Sequence, residues 1–308
     1  MILVFGSLNM DLALSVERLP KPGETVLGPS YVLTPGGKGA NQAVAAARAG
    51  AETRMIGTIG DDEFGRMALA SLQRQGVDVG GIGKGTKPTG CAAILVSPQA
   101  ENQIGVASGA NLEAKGDNVH NDRLGPGSTV LMQMEVPEAE VWALAKRAKA
   151  RGARVVLNLA PVRPVPPASL KDLDVLICNE HEASVLITSL GAPAGRDPNQ
   201  MIGALAKALG LTFVITLGAK GAIAATPTEV WMVDALQIKP VDTTGAGDAF
   251  CGAFTAALDR RTPIQGALER ANVAGALACM ALGAQEALPR RQTIEEKLLS
   301  SPRAFRLN

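Results

Sequence analysis

Asp242-Thr243-Thr244-Gly245-Ala246-Gly247-Asp248-Ala249-Phe250 is the stretch of this 308-residue sequence that says most about its fold. It follows the strand-like residues 231–241 and opens an apolar helix that is predicted to run to about Leu258. Glycines in front of a helix allow successive N–H groups to point at one place, and the helix N-terminus adds partial positive charge. The segment therefore predicts a strand, a loop and a helix that together can cradle an anion.

Asp248 lies in the same turn as these glycines. A carboxylate at this place would repel a bound phosphate, but it could take a proton from an attacking hydroxyl group. The alternative is structural, with Asp248 capping the helix and the glycines forming only a tight turn. The residues of this segment alone leave both interpretations open.

Short apolar runs rich in Val, Ile and Leu recur along the rest of the chain and alternate with stretches at helical spacing. Such runs are typical of strands that are buried on both faces of a parallel sheet. The alternation predicts an α/β fold with a doubly wound, mostly parallel sheet flanked by helices. The predicted strands are 2–5, 129–134, 154–159, 175–178 and 212–217, and the predicted helices include 62–75, 137–151 and 198–209.

Residues 12–33 and 91–107 break this rhythm. Both segments show strand-like alternation with Pro and Gly turns, and neither has a helix between its strands. We expect them to pair into a small second sheet that projects from the core as a lid, which could close over a substrate. The sequence has no internal repeat and no long linker, so residues 1–308 are expected to form a single α/β domain.

The composition narrows the possible partners. Lys and Arg number 30 and Asp and Glu number 29, so the net charge of +1 gives no electrostatic reason to bind nucleic acid or an anionic membrane. The four cysteines are spaced neither as a zinc site nor as a disulfide framework, which is typical of a reducing compartment. No apolar stretch reaches the ~20 residues of a membrane span. We therefore expect a soluble, cytoplasmic protein that binds neither nucleic acid nor a membrane.

Two further Gly-rich segments are present. In Pro35-Gly36-Gly37-Lys38-Gly39-Ala40-Asn41-Gln42-Ala43 the Lys and Asn side chains offer donors that a polyol needs, although an ordinary loop-to-helix turn explains the pattern equally. Gly follows Lys38 where a Walker A loop has Ser or Thr, and Gly6 stands alone after the first strand, so neither a Walker A loop nor a dinucleotide fingerprint is present. Residues 216–221 (Thr-Leu-Gly-Ala-Lys-Gly) form a weaker signal that a hairpin turn explains about as well.

Polar residues follow several predicted strands. Asn9 and Asp11 come after the first strand, and Glu135 ends the run 129–134. Ligands bind at the carboxyl ends of strands in parallel sheets, so these side chains are candidates for a binding site. Asn179-Glu180-His181-Glu182 follows the run 175–178, and its acids could hold hydrated Mg²⁺ or could simply favour a helix N-terminus.

Taken together, these motifs resemble the ribokinase family, within the wider PfkB group of carbohydrate kinases, over essentially the whole chain. The residues 36–43 (GGKGANQA) are similar to the N-terminal motif of the family, and 242–248 (DTTGAGD) to its C-terminal motif, which is highly specific. Further similar segments are 6–11 (GSLNMD), 22–25 (PGET), 101–105 (ENQIG) and 109–111 (GAN). The resemblance implies a Rossmann-like sheet with a β lid, and a homodimer in which the lids of two chains pair.

The resemblance also implies a reaction, the transfer of the γ-phosphoryl group of ATP to O5 of D-ribose. Asp248 would be the catalytic base, and the amides of Gly245, Ala246 and Gly247 would form an anion hole. The implied sugar-binding residues are Asn9, Asp11, Gly37, Lys38, Asn41, Glu135 and Asp248. The implied ATP-binding residues are Asn179, Thr216, Gly218, Gly247 and Asn272, with Glu182 in the Mg²⁺ region and Asp242, Thr244 and Gly283 at an activating monovalent cation such as K⁺.

Two alternatives remain at this point. A kinase of the same group could act on deoxyribose, a hexose or a nucleoside, because specificity in such pockets depends on a few hydroxyl contacts. A sugar sensor without turnover would be a protein of another class, and the presence of Asp248 argues against it.

One departure from the family pattern concerns the cation. Members of the family usually follow Gly-Ala-Gln with one residue and then Ser, which contributes to the cation site. Here the run is Gly283-Ala284-Gln285-Glu286-Ala287. Because Ala287 lacks the hydroxyl ligand and Glu286 adds a charge beside it, we expect weaker or altered dependence on a monovalent cation.

Overall fold

The computed structural model describes residues 1–99, 101–191 and 197–307. Its strands form a ten-stranded main sheet and a four-stranded second sheet. In chain order the elements are β1 (Ile2–Phe5), β2 (Asn9–Ser15), β3 (Ser30–Gly36), α1 (Lys38–Arg48), β4 (Thr53–Ile59), α2 (Glu63–Arg74), β5 (Asp78–Lys84), β6 (Gly90–Val96), β7 (Asn102–Ala107), β8 (Thr129–Met132), α3 (Glu138–Ala150), β9 (Arg154–Asn158), β10 (Val175–Asn179), α4 (Glu180–Ser189), α5 (Pro198–Leu209), β11 (Thr212–Thr216), β12 (Ala222–Ala225), β13 (Val230–Val233), α6 (Ala246–Asp259), α7 (Ile264–Ala278), α8 (Arg291–Leu298) and β14 (Phe305–Leu307).

The main sheet has the order β14-β13-β12-β11-β10-β9-β8-β1-β4-β5. Its strands are parallel from β5 to β11, and β12, β13 and β14 add an antiparallel edge. This arrangement confirms the predicted mostly parallel sheet. β1 lies between β8 and β4 and is fully buried, as its apolar run predicted.

Helices cover both faces of the main sheet. Ile2 and Val4 of β1 pack in one apolar core with residues of α1, α6, α7 and α8, and the alternate residues Leu3 and Phe5 pack in a second core with residues of α3, α4 and α5. Successive side chains of a strand point to opposite faces, so a fully apolar strand supplies both cores at once. Within the described residues, none of these helices combines the length and the apolar character that a bilayer-spanning helix requires.

The predicted second sheet is also confirmed, in the order β3-β2-β6-β7. It is longer than predicted at its base, because pairing begins at Asn9 opposite Gly36 and at Asn9 opposite Gly90. Asn9 and Asp11 therefore belong to the first strand of this sheet rather than to a loop after β1. Ala100, inside the predicted lid segment 91–107, lies outside the described residues.

Two strand predictions near the site need correction. Of the strand-like run 231–241 only Val230–Val233 forms a strand, because the partner strand β12 ends its register at Ala222 opposite Val233 and the chain then leaves the sheet. The run 129–134 ends as a strand at Met132. The hairpin interpretation of residues 216–221 is confirmed, since β11 and β12 pair antiparallel on either side of them.

Candidate active site

The Gly-rich segment at 242–248 forms a helix N-terminus without a side-chain cap, in which the N–H of Ala246 donates to the carbonyl oxygen of Thr243 at 3.3 Å. Gly245 adopts φ 75° just before α6, a conformation that favours glycine, and no side chain caps the helix. A Cβ atom added to Gly247 would have no atom within 4 Å, so the space above the first turn is open. The first turn thus presents main-chain groups and the positive end of the helix dipole to an open space, as an anion-binding site requires.

Asp248 lies in this first turn but does not cap the helix. Its Oδ2 accepts a hydrogen bond from Asn41 Nδ2 at 2.9 Å, and its Oδ1 accepts one from Gln42 Nε2 at 2.9 Å. Burial raises the pKa of the Asp248 carboxyl, and although the Lys38 charge and the two amides oppose this effect, the net shift is upward. A buried carboxylate whose pKa is raised is suited to accept a proton from a nearby hydroxyl group.

Lys38 and Glu135 are brought together by the start of α1. Glu135 Oε2 accepts hydrogen bonds from Ser7 Oγ at 2.6 Å and from the main-chain N–H of Lys38 at 3.1 Å. Burial alone would lower the pKa of the Lys38 ammonium, but Asp248, Glu135 and Glu182 outweigh it and the pKa is raised. The site therefore holds a cation between carboxylates that come from separate elements.

Asp11 and Asn9 enter the site from the second sheet. The pKa of the Asp11 carboxyl is raised to about 6. Burial is the largest cause, and the negative charges of Glu135, Asp248 and Glu286 add to it. Asn9 Oδ1 accepts a hydrogen bond from Asn111 Nδ2 at 2.7 Å, which leaves the Asn9 amide group to donate elsewhere. The sheet thus contributes one acceptor and one donor to the same space.

Glycines at the base of the second sheet allow this close approach. A Cβ atom on Gly36 would lie 2.2 Å from Asp11 Oδ2. A Cβ atom on Gly37, whose φ is 88°, would lie 2.8 Å from Asn9 N. The predicted role of this segment in bringing the backbone near a ligand therefore has a steric basis.

A second group of predicted residues lies in the loop before α6 and in the loop between α7 and α8. Asp242 Oδ1 accepts from the N–H of Thr244 at 2.9 Å, and Asp242 Oδ2 accepts from the N–H of Gly283 at 3.0 Å. Burial raises the pKa of Asp242, but these hydrogen bonds outweigh it and hold the pKa below its ordinary value. The ionised carboxylate joins the two loops that were predicted to hold a monovalent cation.

Asn179 and Thr216 are neighbours at the carboxyl edge of the sheet, where they are directly paired in the register of β10 and β11. Asn179 and Glu182 form a reciprocal capping box at the start of α4, so the helix-terminus interpretation of these acids holds in the geometry. Burial has the largest effect on Glu182 and raises the pKa of its carboxyl. The hydrogen bond from the main-chain N–H of Asn179 and the charge of Lys38 offset only part of this increase. Gly218 follows Thr216 and is exposed.

Asn272 lies on α7, and its Nδ2 donates to the carbonyl oxygen of Asp234 at 3.0 Å. α7 packs along α6 in the same apolar core. Asn272 is therefore held beside the segment that leads into the Gly-rich turn, and among the described residues no hydrogen bond joins its side chain to Thr216 or Gly218.

Sequence reasoning assigned no role to several buried polar side chains of the site. The sequence does mark three of them as unusual polar positions. Gln133 and Asn158 are lone amides at the ends of otherwise apolar runs, and Ser7 lies just beyond a buried strand. A pattern can mark such a residue but cannot identify its partner. The residues concerned, all buried, are Ser7, Gln42, Asn111, Gln133, Asn158 and Gln285.

Two buried cysteines lie close to these groups. Cys251 is one turn after Asp248 on α6, and Cys178 is the penultimate residue of β10. Burial raises the pKa of both thiols, and the neighbouring Asp248 charge raises that of Cys251 further. Both therefore remain protonated and unreactive in the folded protein.

Comparison with known proteins agrees with this geometry. The chain matches the family described as pfkB family carbohydrate kinase over residues 1–291. It is 37% identical over 302 residues to the ribokinase of Bacillus subtilis, covering 96% of this chain and 99% of the relative.

Solved structures of similar fold include the ribokinase of Thermotoga maritima, with a TM-score of 0.89, 31% identity and coverage of 97% of this chain and 99% of that chain. The Arabidopsis thaliana ribokinase complexed with ribose and ATP has a TM-score of 0.86 and 30% identity, with 96% of this chain and 98% of that chain covered. The predicted family resemblance is thereby confirmed, and the chain belongs to the pfkB family of carbohydrate kinases.

Proposed function

We propose that this carbohydrate kinase transfers the γ-phosphoryl group of ATP to O5 of D-ribose, with Asp248 as the catalytic base. The observation that carries the proposal is the position of the Asp248 carboxylate, which is buried at the open N-terminus of α6 and faces Lys38, Glu135 and Asp11. The similarity to ribokinases, one of them solved with ribose and ATP, supports the choice of substrate and of phosphoryl donor.

The sugar would lie between the second sheet and the start of α1. A ribose ring offers several hydroxyl groups, each of which needs a donor or an acceptor once water has been removed. Carboxylates can accept from the hydroxyls, while amide and ammonium groups can donate to them. We assign this role to Asn9, Asp11, Gly37, Lys38, Asn41 and Glu135.

The phosphoryl group in transfer would lie over the first turn of α6. The amides of Gly245, Ala246 and Gly247 would offset the negative charge that develops there, and the α6 dipole acts in the same direction. Asn179, Thr216, Gly218 and Asn272 are proposed to line the ATP site. Closure of the second sheet would exclude water, which otherwise competes as the acceptor.

Mg²⁺ fits the donor set around Glu182. Mg²⁺ usually keeps several waters and binds one or two carboxylates together with phosphate oxygens. No group of three or more His, Cys, Asp or Glu side chains suited to a metal occurs among residues 1–99, 101–191 and 197–307, so a cage made only of protein ligands is not available there. Glu182, held by the capping box, would orient Mg²⁺-bound water, and the ion would supply positive charge at the phosphates.

A monovalent cation fits the loops of Asp242, Thr244 and Gly283. Asp242 remains ionised and fixes the two loops at a constant spacing, so oxygens from both could surround one K⁺ ion. Glu286 is exposed, and its Oε2 lies 3.2 Å from the position of a Cβ atom on Gly283. A second acid therefore lies beside the loop, as the sequence suggested.

We predict that this protein depends less on K⁺ than its relatives do. Ala287 supplies no hydroxyl ligand, so K⁺ should raise kcat/KM by less than roughly tenfold, toward the low end of ordinary coupling between two ligands. Steady-state rates at constant ionic strength, with K⁺ replaced by tetramethylammonium, measure the ratio. Ala287→Ser should increase it, and an unchanged ratio above tenfold in the natural protein would count against the argument.

We also propose that two chains pair through the second sheet. The side chains on the Asp11 face include Val32, Ile104 and Val106, which are 58%, 56% and 57% exposed. The register places Val106 in the same cross-strand row as Asp11, so this apolar face is continuous with the sugar site. Monomeric proteins rarely leave such a contiguous apolar face in water.

The dimer is tested by light scattering after size exclusion. The natural protein should elute as a dimer, and Ile104→Lys should shift it toward the monomer because a charge cannot be buried unpaired in such an interface. A monomeric natural protein at all concentrations would refute the pairing. A cytoplasmic location, where ATP is abundant and the four free cysteines stay reduced, belongs to the same proposal.

Asp11 gives the protein a predicted pH dependence. Because its folded pKa of about 6 lies above the ordinary value of 3.8, the carboxylate becomes protonated as the pH falls through 6 and can then accept fewer hydrogen bonds from the sugar. We expect kcat/KM for ribose to fall below this pH. Asp11→Asn should bind ribose weakly at every pH and lose the part of this fall that Asp11 causes, but keep the part that Asp248 causes. The pH profile of kcat/KM for both proteins is the measurement, since it reports groups of the free enzyme.

The same pKa predicts the effect on stability. The folded state binds the Asp11 proton more tightly than the unfolded state does, so the free energy of unfolding falls as pH rises from about 4 to about 6. Asp11→Asn should therefore raise the stability of the free protein at pH 7, by about 1 kcal/mol after allowance for solvent screening. Lower stability of this variant at pH 7 would contradict the assignment.

The function itself is tested by ADP release with MgATP on ribose, 2-deoxyribose, fructose and adenosine. A clear preference for ribose supports the proposal, and a preference for another compound would leave the kinase assignment intact but overturn the substrate. Ribose binding by calorimetry without turnover of any compound would favour the sugar sensor instead.

A further inference from the structure

We propose that Gln42 is a positioning residue for the Asp248 carboxylate, and that Gln133 fixes the amide of Gln42 in the orientation that donates to Asp248. The inference rests on the proposed role of Asp248 as the base. Gln42 does not need to touch the sugar or ATP, and it would act only through Asp248.

The contacts run in one direction. Gln133 Nε2 donates to Gln42 Oε1 at 2.7 Å, and Gln42 Nε2 donates both to Asp248 Oδ1 at 2.9 Å and to Asn158 Oδ1 at 3.0 Å. Asn158 in turn donates from Nδ2 to the carbonyl oxygen of Ile177 at 3.2 Å. The donors thus run from Gln133 to Gln42, and Gln42 divides its two N–H groups between the Asp248 carboxylate and Asn158.

The direction follows from the carboxylate itself. Ionised Asp248 can only accept hydrogen bonds, so Gln42 must turn its NH₂ group toward it. The Gln42 oxygen then needs a donor, and Gln133 is the residue that supplies one. If Gln42 were reversed, two oxygens would face each other in a space from which water is excluded, which is costly.

Burial makes these bonds strong. Gln42 and Gln133 have no solvent-exposed surface, and Asn158 and Asp248 are 8% and 7% exposed. A Cβ atom on Gly6 would lie 2.0 Å from Gln133 Oε1, so the glycine in front of Ser7 provides the space that Gln133 occupies. The charged and titratable groups that face Asp248 are Lys38 from α1, Glu135 after β8, Asp11 from β2 and Cys251 on its own helix.

A second chain of contacts holds the other carboxylate oxygen. Gln285 Nε2 donates to Asn41 Oδ1 at 3.2 Å, and Asn41 Nδ2 donates to Asp248 Oδ2 at 2.9 Å. Ser71 Oγ donates to Gln285 Oε1 at 3.1 Å. With one donor on each oxygen the carboxylate cannot rotate freely, so a lone pair stays directed at the site where the sugar hydroxyl must lie.

The test is Gln42→Met, which keeps length and volume but removes both donors. At pH 7 we expect kcat to fall at least about tenfold while KM for ribose changes less than about threefold, because the lost interaction acts on the base and not on the sugar. The acid limb of the kcat/KM profile should move up by about one pH unit, since Asp248 loses a hydrogen bond to its charged form. Activity should therefore recover partly at high pH.

Gln133→Met provides an independent variant if Gln42→Met folds poorly. It leaves both Gln42 donors in place but frees the Gln42 amide to turn, so kcat should fall in the same direction by a smaller factor, with the pH profile displaced the same way. A wild-type profile in Gln133→Met would overturn the part of the proposal that concerns orientation.

Thr255→Val is the matched control. Thr255 is fully buried on α6, and its hydroxyl donates to the carbonyl oxygen of Cys251 at 2.7 Å without touching Asp248. The control should lose some stability but keep the wild-type pH profile. If Gln42→Met behaves like Thr255→Val, the side chain has a structural role only and the proposal fails. If instead Asp248→Asn retains turnover, the assignment of the base fails first, and the two failures are distinguishable.

Discussion

Asp248→Asn should lower kcat by about 10³-fold or more while ribose still binds. General base catalysis contributes ~10²–10⁴-fold, and an amide cannot take the proton of the attacking hydroxyl. Ribose affinity should change little, because the shape of the side chain is kept and most hydroxyl contacts come from other residues. Calorimetric titration with ribose and steady-state ADP release measure the two quantities separately.

The stability of this variant should stay close to that of the natural protein. The amide that replaces the carboxylate can accept only one of the two hydrogen bonds that Asn41 and Gln42 now donate, but the variant also removes a buried charge. Asp259→Asn, at the other end of the same helix, is the matched control: its carboxylate pairs with the N-terminal ammonium group at 3.3 Å, far from the proposed chemistry. Turnover near the wild-type rate in Asp248→Asn, with the control also active, would remove Asp248 from the mechanism.

Gly39→Ala should destabilise the protein by about 3 kcal/mol, the upper end for an overpacked core, and should abolish measurable ribose binding. The added Cβ atom would lie 2.5 Å from Ser7 N and 2.6 Å from Gly6 C. These are main-chain atoms of the β1–β2 connection, which cannot turn away as a side chain could. The small gain in helix propensity from Ala, about 1 kcal/mol, does not offset such a clash.

We expect Gly39→Ala to lose ribose binding for a separate reason. Ser7 Oγ accepts from the N–H of Gly39 at 3.2 Å and donates to Glu135, so moving α1 away from β1 breaks the group that holds Glu135 and Lys38. Urea unfolding and calorimetric titration are the measurements. Gly105→Ala, at an exposed position of β7 where a Cβ atom meets nothing within 4 Å, should change stability by less than about 0.5 kcal/mol. Equal behaviour of the two variants would contradict the argument.

The sequence pattern is informative about the fold because its strands are short, continuous and apolar. Such runs identified the central strands to within two residues, and the absence of helices in 12–33 and 91–107 identified the second sheet. The run 231–241 is an exception. Its alternation suggests a strand over its whole length, but a strand needs a partner, and the partner strand ends at Ala222.

The residues of the candidate site also fall into two groups, those that the sequence predicts and those that it does not. Glycines at positive φ and acids after strands can be found from sequence, because their local geometry demands those residue types. Gly37 and Glu135 are of this kind. The partners of Gln42 cannot be found so, since Gln133 and Asn158 are distant in sequence and an amide hydrogen-bonds in either orientation. Only the packing of α1 against the sheet decides which amide faces which.

The two buried cysteines can report transient opening of the apolar cores. Cys251 is buried in the core that contains α6 and Cys178 in the core on the other face of the sheet, whereas Cys91 and Cys279 are partly exposed. In a thiol-labelling experiment the exposed pair reacts first, and the buried pair can react only in molecules whose core has transiently opened. The slow labelling of Cys251 therefore times the opening of the helix that carries Asp248, without any introduced probe.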